Sequence, residues 1–271
     1  MGKAMTAIEG VVLDLDGTLV RGEGLVPGAL DGWRTLRSAG VAVLVFSNNP
    51  TRHPTDQVER LESLGIDVDV GEVLTSAIVT ADYLAGARPD DAVFAVGSPV
   101  LRETLLDRGV TVTDDPDAGR VVVGSYDRDF DYDRLTESLW ALEDADVFLG
   151  TDPDRTVPTE DRPVPGSGAI VAAMAGVSER DPDAMLGKPS AVARRAALDR
   201  LGTDPERTLV VGDRLETDVA LAGTAMQSAL VLTGIDGRED LDDADHEPTY
   251  VLDSLADVDT VLDSAAAPDT R

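Results

Sequence analysis

Short runs of apolar residues that end in polar turns recur along this chain, and helical spacing follows most of them. Ile8 to Asp14 reads as a strand covered on both faces, because its apolar positions are continuous rather than alternating. Pro27 opens a predicted helix that ends near Gly40, with Leu30, Trp33, Leu36 and Arg37 at helical spacing. Val41 to Phe46 is a second buried strand and delivers Ser47-Asn48-Asn49-Pro50. Thr55 to Leu64 is a helix closed by Gly65. This alternation predicts a parallel sheet with helices on both faces.

A middle block from about Val73 to Met185 carries strand signals of its own at Ala92–Val96, Arg120–Val123 and Val147–Leu149. Its helix signals fall at Val100–Arg108 and Tyr132–Leu142. From Ser190 the first style returns, with helix Ser190–Leu201, strand Thr208–Val211, helix Glu216–Ala222 and strand Ala229–Leu232. Asp204-Pro205-Glu206 reads as a helix start, with Asp as cap and Pro at the first position. The organisation is therefore a core, residues 1–72 and 186–271, with an α/β domain inserted at 73–185. Lys3 falls in an expected floppy start, and Ser264 to Arg271 reads as a disordered tail.

Composition changes this picture through charge. The 271 residues hold 52 acidic and 23 basic side chains, for a net charge of −29. The acid is spread along the whole chain, so it is a property of the surface and reads as adaptation to high salt, where screening quenches self-repulsion. Such charge opposes nucleic acid and anionic membranes. The absence of cysteine excludes disulfides, thiolate catalysis and thiolate metal sites. No apolar run approaches the ~18 residues that span a bilayer, and the start lacks a signal-peptide core. A soluble, cytoplasmic protein is expected.

The basic residues point to chemistry. All but two are arginine; the lysines are Lys3 and Lys188, and Lys188 lies in Gly187-Lys188-Pro189. A chain that has discarded nearly every lysine yet holds one in a turn needs an ammonium group there. Two strand ends carry paired carboxylates, Asp14-Leu15-Asp16-Gly17-Thr18 and Gly212-Asp213-Arg214-Leu215-Glu216-Thr217-Asp218. Two acidic clusters and one lysine at strand-to-loop turns suit a phosphoryl group and Mg2+, whose oxygen-only preference fits carboxylates. Asp14 is then the nucleophile, and Asp16 the general acid and base. Asp213 ligates the metal, and Asp218 holds the metal's water or orients Arg214. Ser47 and Asn48 supply a hydroxyl and an amide to the phosphoryl oxygens, and Lys188 offsets their charge. Singly, each piece has an ordinary explanation. Asp-x-Asp-Gly is a common turn, Gly-Lys-Pro a common loop, and Gly166-Ser167-Gly168 more often a helix start than a phosphate cradle. The order of the pieces, each after a strand or opening a helix, carries the signal. His53 and His246, the only histidines, have no partner at ligand spacing and read as solvated.

These pieces resemble the four motifs of the haloacid dehalogenase (HAD) superfamily. The finer resemblance is to its NagD-like, para-nitrophenyl-phosphatase-like branch, carried by Ser47-Asn48-Asn49, Gly187-Lys188-Pro189-Ser190, Thr151-Asp152-Pro153-Asp154-Arg155 and Pro165-Gly166-Ser167-Gly168-Ala169. It spans nearly the whole chain. It implies a Rossmannoid parallel-sheet core with an inserted α/β cap, and a magnesium-dependent phosphatase that works through a phosphoaspartyl intermediate. It also implies metal ligation by Asp14, Asp213 and the carbonyl of Asp16, and a substrate-facing cap stretch containing Asp152, Asp154 and Arg155. The family usually has Asn where this chain has Asp152, which bears on substrate choice. The substrate class implied is a small phosphorylated metabolite of sugar-phosphate type, and relatives of this kind often form homodimers. Two alternatives stand beside this reading: phosphotransfer to an acceptor other than water, and a non-catalytic receiver-like module. A general acid at Asp16 and a large insert argue against the module.

Overall fold

The structure, a computed structural model, describes residues 7–157 and 162–266, so Lys3 and residues 267–271 lie outside it. In chain order the main elements begin with strand β1 (Gly10–Asp14), helix α1 (Ala29–Ala39), β2 (Ala42–Ser47), α2 (Pro54–Ser63), β3 (Val73–Thr75) and α3 (Ser76–Ala87). Then follow β4 (Val93–Val96), α4 (Pro99–Asp107), β5 (Val112–Thr113), β6 (Val121–Gly124), α5 (Tyr132–Asp144), β7 (Val147–Gly150), α6 (Ser167–Ser178) and β8 (Ala184–Met185). The chain continues through α7 (Ala191–Leu201), β9 (Thr208–Gly212), β10 (Gln227–Val231), β11 (Tyr250–Leu252) and α8 (Val258–Ala266).

The chain divides into two compact units, one of residues 7–47, 55–74 and 194–266 and the other of residues 48–54 and 75–193, apart from undescribed residues. The first unit holds a six-stranded sheet ordered β11-β10-β9-β1-β2-β3. Strands β11, β10, β9, β1 and β2 run parallel. All five residues of β1 and of β9 are buried, as expected for central strands with both faces covered. Helix α1 buries Ala29, Gly32, Trp33 and Leu36, the spaced stripe that its sequence announces, and Gly40 ends it in the left-handed conformation. Leu13, Leu15, Leu19, Trp33, Leu36, Val211 and Val231 belong to the core of this unit. Each large apolar side chain so buried contributes roughly 1.5–3 kcal/mol.

The second unit has a five-stranded parallel sheet ordered β8-β7-β6-β4-β5. Phe94, Val122, Phe148, Val171 and Met174 form part of its core. Residues 186–193, expected with residues 194–271, pack in this unit instead. The reason is backbone pairing: β8 runs beside β7, and Leu186 and Gly187 continue it by donating to the carbonyls of Gly150 and Thr151 at 2.9 and 2.6 Å.

Four sequence expectations are corrected. Asp204-Pro205-Glu206 starts only a single 3-10 turn, Pro205–Arg207, and the Asp204 side chain makes no cap bond. The expected disordered tail is helical as far as Ala266. His53 is not simply solvated, because its Nε2 lies 2.7 Å from Glu103 Oε2. The segment read as helix Glu216–Ala222 opens as a π turn, Leu215–Val219, and becomes α-helical only at Ala220–Ala222.

Candidate active site

Strand order and register decide where the acidic side chains of the first unit gather. The chain leaves β1 toward β2 on one side and returns to β9 on the other, so the β1/β9 crevice is the switch point of the sheet. Ligands bind in such crevices, at the carboxyl ends of the strands. The register pairs Asp14 with Phe46 of β2 and Leu13 with Val211 of β9. Asp14, Ser47 and Asp213 therefore leave the sheet at one edge.

After Asp14 the chain folds back sharply. Leu19 and Val20 both donate to the Leu15 carbonyl at 2.9 Å, and Gly17 donates to Val20 O at 2.8 Å. Gly17 takes a φ of +99°, which favours glycine, and a Cβ there would sit 2.6 Å from Asp213 Cγ. The turn leaves Asp16 half-buried, with its Oδ2 3.5 Å from Ser47 Oγ, at the long limit of a hydrogen bond.

Asp213 is held by a loop that the sequence reading missed. Ile235 donates its N–H to Asp213 Oδ2 at 2.8 Å, and Asp236 donates to the Asp213 carbonyl at 3.1 Å. Thr233 Oγ1 donates to Gly17 O at 2.8 Å, tying this loop to the turn after β1. A Cβ on Gly234 would overlap the Asp213 carboxylate. The π turn directs Asp218 back toward the strand end, where its Oδ2 accepts the Arg214 N–H at 3.2 Å, and a Cβ on Gly212 would overlap it. Inserted π turns are found mostly at functional sites, where they re-aim a side chain.

Asp14, Asp213 and Asp218 are all buried, and each offers an oxygen within 4.8 Å of the others. Three such carboxylates repel one another strongly unless a cation or protons compensate them. The donors are all oxygen, which suits a hard divalent cation. Asp218, expected to hold the metal's water or to orient Arg214, stands in the same group as Asp14 and Asp213. The Asp16 side chain is not in that group.

In the second unit Lys188 is buried, with 2% of its surface exposed. The Asn48 side chain clasps its peptide groups: Asn48 Oδ1 accepts from Lys188 N at 2.8 Å, and Nδ2 donates to Lys188 O at 3.1 Å. This tie, across 140 residues of sequence, is one that the sequence reading missed. Asp152 is fully buried; burial and the neighbouring Asp154 push its carboxyl up to about 7. Asp154 donates its N–H to Asp152 Oδ1 at 3.2 Å, and Arg155 is exposed. Gly166-Ser167-Gly168 is the start of α6, with Gly166 and Gly168 donating to the Arg155 and Asp154 carbonyls at 2.8 and 2.9 Å.

Residues 11–111 match the haloacid dehalogenase-like hydrolase family, and residues 185–258 match the HAD-hydrolase-like family. The chain is 32% identical to the 5'-nucleotidase YutF of Bacillus subtilis, over 93% of this chain and 98% of the relative. It is equally 32% identical to the acid sugar phosphatase of Staphylococcus haemolyticus, over 93% and 95%. Among solved structures, the p-nitrophenyl phosphatase from Archaeoglobus fulgidus superposes with a TM-score of 0.87 at 34% identity, covering 94% of this chain and all of that one. NagD from E. coli K-12 gives 0.84 at 28% identity, over 93% and 98%. The chain belongs to the HAD-like hydrolases, in their NagD-like branch, and is a phosphatase of that type.

Proposed function

We propose a magnesium-dependent phosphomonoesterase that acts on small phosphorylated metabolites of sugar-phosphate type through a phosphoaspartyl intermediate on Asp14. The observation that carries this reading is the group of three buried carboxylates at the switch point of the sheet. Asp14, Asp213 and Asp218, with the Asp16 carbonyl, would hold the ion, which when bound draws charge from the phosphoryl oxygens. An Asp14 oxygen attacks phosphorus while the bond to the ester oxygen breaks, and Asp16 gives that oxygen its proton. Water then attacks the phosphoaspartate, Asp16 takes a proton from it, and inorganic phosphate leaves with Asp14 restored. Ser47 donates its hydroxyl to a phosphoryl oxygen, and Lys188 neutralises another. In this reading the inserted unit is the cap, and the stretch of Asp152, Asp154 and Arg155 selects the substrate. The sugar-phosphate class is supported by the acid sugar phosphatase relative, and the nucleotidase relative makes nucleotides the comparison substrate.

The test is release of inorganic phosphate from para-nitrophenyl phosphate, a hexose phosphate and a nucleoside monophosphate, with magnesium and with chelator. Asp14→Asn should keep its circular dichroism and lose turnover. Retention of more than a few per cent of the wild-type rate would remove the covalent step from the mechanism.

A further inference from the structure

Four carboxylates are buried among the described residues: Asp14, Asp213, Asp218 and Asp152. The first three face one another at the candidate metal site. Asp152 lies in the other unit and has no cationic side chain bonded to it among the described residues, so its burial needs another explanation.

Counting protons supplies one. Ser76 Oγ lies 2.6 Å from the Asn48 carbonyl oxygen and 3.4 Å from Asp152 Oδ2. A serine has one proton, and the carbonyl can only accept, so the shorter contact takes it. The contact between Ser76 and Asp152 is then a hydrogen bond only if the carboxyl supplies the proton. The remaining partners are donors, which by themselves favour the ionised form; burial and the Asp154 charge outweigh them and keep the proton on. Asp152 Oδ1 accepts the Asp154 N–H at 3.2 Å, and Ser167, whose oxygen already accepts the Tyr126 N–H at 3.1 Å, has its own proton to give. Thr151 Oγ1, 3.0 Å from Asp152 Oδ2, shares a second contact of 2.8 Å with Ser125 Oγ and can serve as donor or acceptor.

We infer that Asp152 is held as a neutral carboxylic acid whose proton closes a chain from Asp152 through Ser76 to Asn48, and that this chain positions Lys188. Asn48 is the last link, since its side chain binds both peptide groups of Lys188. Gly187 shows how closely the pieces pack. A Cβ there would lie 2.7 Å from Asn48 Oδ1, 2.7 Å from Thr151 O and 3.0 Å from Asp152 Cβ. The charged residues around Asp152 are Asp154 in its own loop and Lys188 beyond Gly187. Helices α3 and α6 and the ends of β6 and β7 contribute the hydroxyls of Ser76, Ser167, Ser125 and Thr151. Ionisation of Asp152 sets two acceptors against each other at Ser76 and loosens the hold on Asn48. Burial and Asp154 put that ionisation near neutral pH, at about 7.

Asp152 is thus a positioning residue, and the inference rests on the proposed role of Lys188. The test measures kcat and KM for para-nitrophenyl phosphate from pH 5.5 to 9 in wild type, Asp152→Asn, Ser76→Ala and Lys188→Ala. Wild type should lose kcat through an alkaline limb near pH 7, and Asp152→Asn, which keeps a donor at every pH, should lose that limb. Ser76→Ala, which removes the middle link, should cost roughly tenfold in kcat in wild type and about as much in Asp152→Asn, because asparagine leaves the rest of the chain in place. Infrared difference spectra at pH 6 should show a protonated carboxyl C=O band that Asp152→Asn lacks, a readout independent of activity. An unmoved limb with no such band, while Lys188→Ala is inactive, overturns this inference alone. Near wild-type activity in Lys188→Ala overturns the role of the lysine and this inference with it.

Discussion

Replacing Asp152 by asparagine should change the pH dependence of folding stability, and the size of the change follows from its burial. The side chain is fully buried, and its carboxyl is raised from 3.8 to about 7. Below 3.8 the acid is protonated in both the folded and unfolded chain. Between 3.8 and about 7 the unfolded chain ionises while the folded one keeps its proton, so the folded state binds more protons and stability falls as pH rises. Above about 7 both forms are ionised and the fall stops. Each pH unit inside this window is worth 1.36 kcal/mol. A measurement at pH 5 and another at pH 8 enclose about two such units, or about 3 kcal/mol. Asparagine has no proton to lose. The stability of Asp152→Asn relative to wild type should therefore rise by about 3 kcal/mol between pH 5 and pH 8. Urea unfolding followed by circular dichroism, at one fixed salt concentration, measures this difference and cancels the titration of shared surface groups. A relative stability that stays constant across the range would refute the reasoning, because it would mean that Asp152 ionises alike in the folded and unfolded chain.

Four further outcomes are expected. Gly234→Ala puts a methyl group into the Asp213 carboxylate, and a misplacement of about 1 Å at such a site costs on the order of 10²-fold, so kcat/KM should fall by that much and half-activation should need more magnesium. Gly86→Ala in α3, where a Cβ meets nothing within 4 Å, is the control and should be neutral to stabilising by about 0.5–1 kcal/mol. Lys188→Arg should be nearly as damaging as Lys188→Ala, because a planar fork does not fit where a compact ammonium is buried; near wild-type turnover would sink that claim. Folding and activity should both weaken at 50 mM salt and recover near 1 M, where the Debye length is ~3 Å, while magnesium at millimolar concentration should restore neither. Full folding at low salt would mean that the acidic surface serves another purpose.

The parts of the fold that rest on one pattern were legible in the sequence. β1, β2, β4, β6, β7 and β9 are continuous apolar runs closed by polar turns, and α1 shows a clean stripe ended by Gly40. Helix α3 was not anticipated. Seven of its twelve residues are buried, small and apolar residues surround it, and no polar face marks the period. The grouping of the strand-end carboxylates was legible because strand ends at a parallel-sheet edge are where ligands bind. The loop around Gly234 was not, since it acts through the N–H of Ile235 and through a missing Cβ, neither of which a side-chain motif reports. Nor was the π turn at Leu215–Val219, whose residues also satisfy ordinary helical spacing. The tie between Asn48 and Lys188 was not legible either, because the two are 140 residues apart.

The acidity that makes single carboxylates uninformative in this sequence is resolved by burial. Enrichment in acid costs little where water solvates each group, so surface positions accumulate Asp and Glu without a specific cause. An interior position is different: an ionised carboxylate removed from water must find a cation or keep its proton. Four aspartates among the described residues meet that condition. Three of them stand within ligand distance of one another, where no arrangement of hydrogen bonds can satisfy three negative charges and a shared cation can. The fourth is ringed by hydroxyls and a backbone N–H, which neutralise nothing, and its remedy is the proton. The two remedies respond to different variables. Chelation would remove the first and leave Asp152 as it was; alkaline pH would remove the second and leave the geometry of the three-carboxylate group as it was. A loss of activity by either route therefore identifies which set of aspartates has lost its partner.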